Sequence, residues 1–184
     1  MDDILQTILH KNEKILWEGK AESFTTLDRT HRSAYLKKLY ITLAATLALL
    51  ILYFTTVAEV EFFIVALILF LAAYICIKPL TEAHRLRSAR YLVTDERLVL
   101  ITDEVVNVVY ADIPVAAIRT DGDGHSSLLC GQRAIAAAPQ QRRSFAATGA
   151  VIDMDTKLCD SLIFYAVADI AGMKEALRPY LTVT

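Results

Sequence analysis

The chain has 184 residues, of which 55% are hydrophobic and 22% are charged, and its mean hydropathy is +0.40. This composition excludes a disordered or collagen-like chain, and it is too apolar for an average soluble domain. A formal charge of −2 gives no basic excess of the kind that marks nucleic-acid-binding proteins, and three scattered cysteines are too few for a disulfide framework.

Residues 1–38 form the first segment, which we predict to be cytoplasmic. Apolar residues recur at helical spacing between Asp2 and His10, which predicts a short amphipathic helix. Such a helix would pack on the protein's own surface or lie on the membrane. Residues 12–20 then place a few apolar side chains between charges and Gly19, a pattern typical of a short strand. The sequence leaves open whether this strand joins the sheet of a later domain.

The excess of apolar residues lies in residues 39–80, where we predict a transmembrane hairpin of two helices. Between residues 39 and 77 the only charged side chains are Glu59 and Glu61. The uncharged residues 39–58 would form a helix about 30 Å long, which matches the hydrocarbon thickness of a bilayer. The second apolar run, residues 62–77, is shorter, but Lys78 can extend its ammonium to the headgroups so that the span continues toward Leu80.

Basic residues on both sides of the hairpin predict its orientation. They precede the first span and follow the second, whereas the turn between the spans has none. By the positive-inside rule both termini face the cytoplasm, and the protein is integral to the cytoplasmic (inner) membrane. The cations nearest the bilayer are also predicted to contact anionic lipid headgroups: Lys37, Lys38, Lys78, Arg85, Arg87 and Arg90. The alternative is that these residues determine topology alone.

Residues 81–184 are predicted to form a mainly β domain on the cytoplasmic side. Three runs rich in β-branched and aromatic residues are separated by two-residue acidic breaks, which predicts an antiparallel meander of Ser88–Thr94, Arg97–Thr102 and Val105–Ala111. The further predicted strands are Val115–Arg119, Ser161–Val167 and, more weakly, Leu128–Ala138 and Ser144–Asp153. Helical spacing from Ile170 onward predicts a closing amphipathic helix. About seven strands and one helix describe a small sandwich or open barrel.

The order of short motifs along the chain is the most informative sequence feature. They are Glu13, Ile15-Leu16 and Gly19, the run Tyr91–Val99, Ile113-Pro114-Val115, and Gly149–Ile152. With two spans between the first and second groups, this order resembles bacterial membrane proteins that carry a pleckstrin-homology-like (PH-like) domain. The resemblance covers nearly the whole chain and thins between Gly122 and Thr148. It implies a seven-stranded PH-like barrel capped by the C-terminal helix, and it implies no catalytic residues.

Reactive side chains do not form a catalytic or metal-binding motif. The run Asp121–His125 lacks the acidic spacing of a calcium loop, so we predict a hydrated turn. His125, Ser126, Ser127 and Cys130 are near one another only in sequence, and no nucleophile elbow surrounds either serine. We therefore predict no catalytic, cofactor-binding or metal-binding residues.

Two other sets of polar residues are predicted to face solvent. His10, His31 and His84 are isolated in sequence and are predicted to be solvated. Arg142 and Arg143 follow two glutamines, which predicts a solvated turn, although they could instead contact lipid or an acidic peptide from a loop.

These expectations describe a membrane-anchored, non-enzymatic PH-like binding module. It would engage an unidentified protein partner or an anionic lipid headgroup at the cytoplasmic membrane face, without a cofactor and without nucleic acid. The alternative is a structural or scaffold subunit of a larger membrane complex, in which the hairpin packs against other helices.

Overall fold

The computed structural model describes residues 9–57, 59–102, 105–110, 115–148, 151–153 and 158–178. Residues 2–8 of the predicted N-terminal amphipathic helix lie outside the described residues. The described part comprises two long helices and a compact region of short strands and short helices.

Two long helices form the predicted hairpin. Helix α1 spans Arg29–Thr56 and α2 spans Phe62–Arg87, so they are about 42 and 39 Å long. None of the most apolar 18-residue window of either helix is buried, unlike the core helix of a soluble protein. By length and composition both helices could cross a membrane, and both exceed the roughly 30 Å of a hydrocarbon core. Their polar ends therefore continue beyond the apolar stretch.

The larger sheet contains six strands: β1 (Ile15–Lys20), β2 (Arg90–Thr94), β3 (Arg97–Thr102), β4 (Val105–Tyr110), β7 (Val151–Asp153) and β8 (Leu158–Cys159). Their order across the sheet is β1-β2-β3-β4-β8-β7. The predicted meander is confirmed, because β2, β3 and β4 pair antiparallel in sequence order. Strand β1 pairs antiparallel with β2, so the segment before the hairpin joins the sheet formed after it. Only β4 and β8 run parallel among these pairs.

The smaller sheet has three antiparallel strands in the order β5-β6-β9. Its strands are β5 (Ala116–Thr120), β6 (Ser126–Cys130) and β9 (Leu162–Phe164). Two short helices, α3 (Gln132–Ala136) and α4 (Pro139–Thr148), lie between β6 and β7 in the chain. The predicted closing helix is α5 (Ile170–Leu177), which packs against β1.

The predicted strands Leu128–Ala138 and Ser144–Asp153 are wrong over most of their length. Strand β6 ends at Cys130, because Gly131 adopts φ +86° and turns the chain out of the sheet. The alanine, glutamine and arginine residues that follow favour helix. Pro139 is the first residue of α4, a position at which an N–H would have no acceptor within the helix, so proline is tolerated there. The described residues thus hold nine strands in two sheets, where the resemblance implied a seven-stranded barrel.

Aromatic side chains join the two sheets in the core. Tyr91 of β2 stacks on Phe164 of β9 with ring centroids 4.7 Å apart, and its hydroxyl donates to the carbonyl oxygen of Tyr165 at 2.6 Å. Both rings are fully buried. An isolated bridge between Ala21 and Val167 adds a main-chain link beside this contact.

A buried ion pair fixes the start of β1 against the turn between β2 and β3. Arg97 donates from two nitrogens to the two carboxylate oxygens of Glu13, each at 2.8 Å, and the hydroxyl of Thr94 donates to the same carboxylate at 2.7 Å. Burial raises the pKa of Glu13, but hydrogen bonds from Arg97, the His10 amide and Thr94 outweigh it and lower the pKa to about 2. Three motif residues of the family resemblance therefore have a structural role.

Candidate functional site

The turn between β5 and β6 holds the first residues of α1. The carboxylate of Asp123 accepts hydrogen bonds from the amides of Arg29 and Thr30 at 3.1 and 3.0 Å, and from the Thr30 hydroxyl at 2.8 Å. Asp28 is the N-cap, and its side chain accepts from the His31 amide at 2.8 Å. Desolvation opposes ionisation of Asp123, but the bonds from Thr30 and Arg29 lower its pKa overall. The domain thus fixes the start of the hairpin.

Helix α4 contributes a buried cation to the same junction. Arg143 is 4% exposed and pairs with the Asp28 carboxylate at 2.5 Å. It also donates to the Thr26 carbonyl oxygen at 2.7 Å, and its guanidinium lies 4.8 Å from the ring centroid of Phe24 and 5.4 Å from that of Tyr165. One side chain therefore anchors the linker between β1 and α1 to the domain.

The end of α2 contacts the same linker and the same helix. Arg87 donates to the Phe24 carbonyl oxygen at 3.2 Å and to the Thr26 hydroxyl at 2.8 Å. On the preceding turn, Glu82 accepts from the Ser144 hydroxyl of α4 at 3.0 Å. The polar ends of both hairpin helices and α4 consequently meet at one place.

A cavity of about 500 Å³ lies where these three helices meet. This volume is within the range of small-molecule binding sites. Lys38, Lys78 and Arg143 supply positive charge to its wall, against the single carboxylate of Glu82. The rest of the wall is mixed: apolar and aromatic side chains such as Tyr35, Leu27 and Leu80 lie beside the polar residues Thr26, His31, Gln140, Gln141 and Ser144.

Two buried nitrogens beside the cavity have no hydrogen-bond partner among the described residues. They are Nε2 of His31 and Nε of Arg143. Nδ1 of His31 lies 2.7 Å from the Asp28 carboxylate, which can only accept, so Nδ1 carries the hydrogen and Nε2 of the neutral ring is an acceptor. Because a buried polar atom left unpaired costs about 1–3 kcal/mol, most such atoms in folded proteins are paired. Two residues of the cavity wall therefore each carry a buried nitrogen that the described protein residues leave unpaired.

The six predicted lipid-contact residues do not share one environment. Lys38 and Lys78 line the cavity, and the Lys78 ammonium lies 3.8 Å from Glu82. Lys37 and Arg85 are exposed on α1 and α2. Arg87 is bound to the linker as described, and Arg90 of β2 lies 3.7 Å from Glu18. The structure thus brings together two of the six, and lipid contact stays a prediction for all of them.

Two assignments to solvent are wrong. His31 is 8% exposed, because Asp28 binds both its amide and its ring, and Arg143 is buried in the ion pair on a helix and not in a solvated turn. The predicted turn at 121–124 is present, but Asp123 binds α1. The sequence contains one signal for the role of Asp28. This residue immediately precedes a long helical run, and aspartate is a preferred N-cap residue.

Acidic residues come together at two places that could hold a cation. Within each group the ligand atoms lie within 4.8 Å of one another: Asp28 with Asp121 and Asp123, and His10 with Glu13 and Glu96. A guanidinium, Arg143 or Arg97, already pairs with a carboxylate in each group. In each group one carboxylate thus already has a guanidinium as its partner, and nothing else among the described residues points to a bound cation.

Comparison with known proteins does not add to these observations. No protein-family model, curated protein or solved structure matches this chain. The function must therefore be inferred from the chain's own residues and their geometry.

Proposed function

We propose that this protein is a membrane-anchored, non-enzymatic binding module. Its hairpin spans the cytoplasmic (inner) membrane with both termini in the cytoplasm, and its PH-like domain engages a lipid headgroup or a protein partner at that membrane face. The observation that carries the proposal is the open cavity of about 500 Å³ between α4 and the polar ends of both apolar helices. A ligand bound there would contact the anchor and the domain together.

Exposure of apolar side chains supports the membrane anchor. Leu47, Leu52, Phe63 and Phe70 are each half exposed or more, although they lie in the most apolar part of the chain. Contiguous apolar surface of this extent is unfavourable in water and is typical of a lipid-facing or protein-facing surface. The basic residues at both open ends of the hairpin support the cytoplasmic orientation.

The hydrogen bonding at the cavity supports binding over catalysis. The hydroxyl of Ser144 donates to Glu82, and the ring of His31 is oriented by Asp28. A serine nucleophile is commonly activated by a histidine that a third group orients. Among the described residues no hydrogen bond joins the Ser144 hydroxyl to the His31 ring, and Ser144 donates instead to Glu82, which also lies near Lys78.

Element order supports a PH-like domain. An antiparallel series β1-β2-β3-β4 is joined to a closing helix, α5, that packs on its first strand. The second sheet and the helices α3 and α4 would then be additions that this chain makes to a PH-like arrangement. Fold alone does not assign a ligand, since the same scaffold can serve unrelated binding functions.

Site-specific photo-crosslinking in native membranes tests the proposal. A photoreactive residue at Gln141, which lines the cavity on α4, should capture a lipid or a discrete protein. The same residue at Thr148, exposed on α4 and not part of the cavity wall, is the control and should capture neither. Equal capture at both positions, or none at Gln141, would contradict a binding role. A stoichiometric protein that copurifies in mild detergent but crosslinks only to the hairpin would favour the scaffold alternative.

A further inference from the structure

We propose that the cavity binds the phosphodiester headgroup of an anionic membrane lipid, with Lys38 and Lys78 as its contact residues. This inference rests on the proposed membrane anchor and goes further, because it assigns the ligand chemistry and separates two cations of the juxtamembrane set from the others.

The position of the two lysines along the hairpin sets the level of the cavity. Lys38 immediately precedes the uncharged residues 39–58, and Lys78 immediately follows the uncharged residues 62–77. Residues at the ends of an apolar span lie at the headgroup level of the bilayer. A cavity with both lysines in its wall therefore lies at the level of the lipid phosphates.

The charge of the cavity matches a phosphodiester. Arg143 is paired with Asp28, and Lys78 lies 3.8 Å from Glu82, so each of these cations faces a carboxylate. Lys38 has no ion pair among the residues that the structure describes, which leaves about one unit of positive charge. A lipid phosphodiester carries one negative charge. The Gln140 and Gln141 side chains also line the cavity, so a polar headgroup has amide groups to bind beside the lysines.

The apolar part of the cavity wall favours a lipid over a soluble phosphate. Leu27, Ala34, Tyr35, Pro79 and Leu80 line the cavity together with the lysines. A free phosphate would leave these apolar groups without contacts, whereas the glycerol and first acyl carbons of a lipid would cover them.

Competitive lipid binding to the full chain tests the assignment. The purified protein in mild detergent is incubated with equal amounts of phosphatidylglycerol and phosphatidylcholine of the same acyl chains, and bound lipids are counted by native mass spectrometry. We expect one tightly retained phosphatidylglycerol. The double variant Lys38→Gln, Lys78→Gln should weaken its retention about 30-fold, as expected for the loss of two lysines near the headgroup.

A matched variant controls for general charge. Arg29→Gln, Arg32→Gln removes the same number of charges from exposed positions of α1 that lie outside the cavity wall and outside the predicted lipid contacts, and it should retain the lipid within a factor of about 3. Equal loss in both variants, or equal retention of the two lipids by the unaltered chain, would overturn the proposal. Because all four substituted side chains are exposed, we expect both variants to fold. Thermal unfolding of each variant checks this expectation.

A soluble competitor distinguishes the two sources of phosphate. Glycerol 3-phosphate at millimolar concentration should not displace the bound lipid, and displacement would assign the cavity to a soluble phosphate ester instead. Failure of lipid selectivity while Gln141 still crosslinks to a protein would remove this inference and leave the proposed function intact. Failure of both experiments would remove both.

Discussion

Replacing Arg143 with glutamine should loosen the domain from the hairpin. The side chains of Arg143 and Asp28 are 5% and 3% exposed, so the substitution leaves a carboxylate buried without its counter-charge. It also removes the donor to the Thr26 carbonyl oxygen and the cation above Phe24. Breaking one partner of a buried ion pair costs about 3–5 kcal/mol. For a chain of this size that loss corresponds to a decrease in Tm of roughly 6–20 °C.

Thermal unfolding of the full chain in mild detergent measures this loss. Arg142→Gln is the matched control, because its side chain is only half-buried on the same helix and forms no ion pair with the described residues. We expect the control to shift Tm by no more than about 2 °C. A decrease of the same size in both variants would refute the assigned role of Arg143.

A double-mutant cycle separates the ion pair from the other contacts of Arg143. Asp28→Asn keeps an N-cap acceptor for the His31 amide, because asparagine is as good an N-cap residue as aspartate. The double variant should be destabilised by less than the sum of the single variants, with an interaction free energy of about 1–3 kcal/mol. Strict additivity would mean that the two charges do not interact in the folded protein.

Three further predictions concern the domain. The pKa of Glu13 is lowered from 4.5 to about 2, so its ionised carboxylate contributes roughly 3 kcal/mol to the free energy of unfolding. This contribution is complete above pH 4.5 and is lost as the pH falls toward 2. Glu13→Gln should remove that part of the pH dependence of Tm. In thermal unfolding, Gly131→Ala should destabilise the protein more than Gly124→Ala. Both glycines have positive φ, so both substitutions strain the backbone. A Cβ at position 131 would also lie 2.4 Å from the Asp160 carbonyl oxygen, whereas a Cβ at position 124 meets nothing within 4 Å. Burial raises the pKa of the Cys130 thiol to about 12, so maleimide at pH 8 should label it only after denaturation, as peptide mass spectrometry would show.

Local patterns were sufficient to predict the elements whose signals lie within a few residues. The uncharged runs predicted the hairpin, and acidic two-residue breaks between β-branched runs predicted the meander. The helices between Gln132 and Thr148 were missed, because weak apolar alternation there was read as strand although alanine and glutamine favour helix.

The candidate site was not predictable because it depends on contacts between distant parts of the chain. Asp28 and Arg143 are 115 positions apart, and nothing near either residue in sequence indicates the partner. Lys38 and Lys78 were identified by their position at the ends of apolar runs, but the sequence could not separate them from Lys37 or Arg85. That separation requires the packing of α4 across the ends of both helices.

Glu13, Thr94 and Arg97 show how short motifs that are far apart in the sequence can share one structural role. They form a buried hydrogen-bonded group that joins β1 to the β2–β3 turn, although Glu13 precedes both predicted spans and the other two follow them. A pattern of this kind indicates that the segment before the hairpin and the domain after it fold together. It carries no information about a ligand.

The central claim is that the hairpin crosses the membrane and holds the domain at the cytoplasmic face, and labelling from one side of the membrane tests it most directly. In a Cys76→Ala background, Glu59→Cys lies in the turn of the hairpin and Gln141→Cys lies at an exposed position of α4. A membrane-impermeant maleimide added to intact cells should label position 59, and it should label position 141 only after the membrane is permeabilised. Labelling of position 141 in intact cells, or labelling of position 59 only after permeabilisation, would contradict the account.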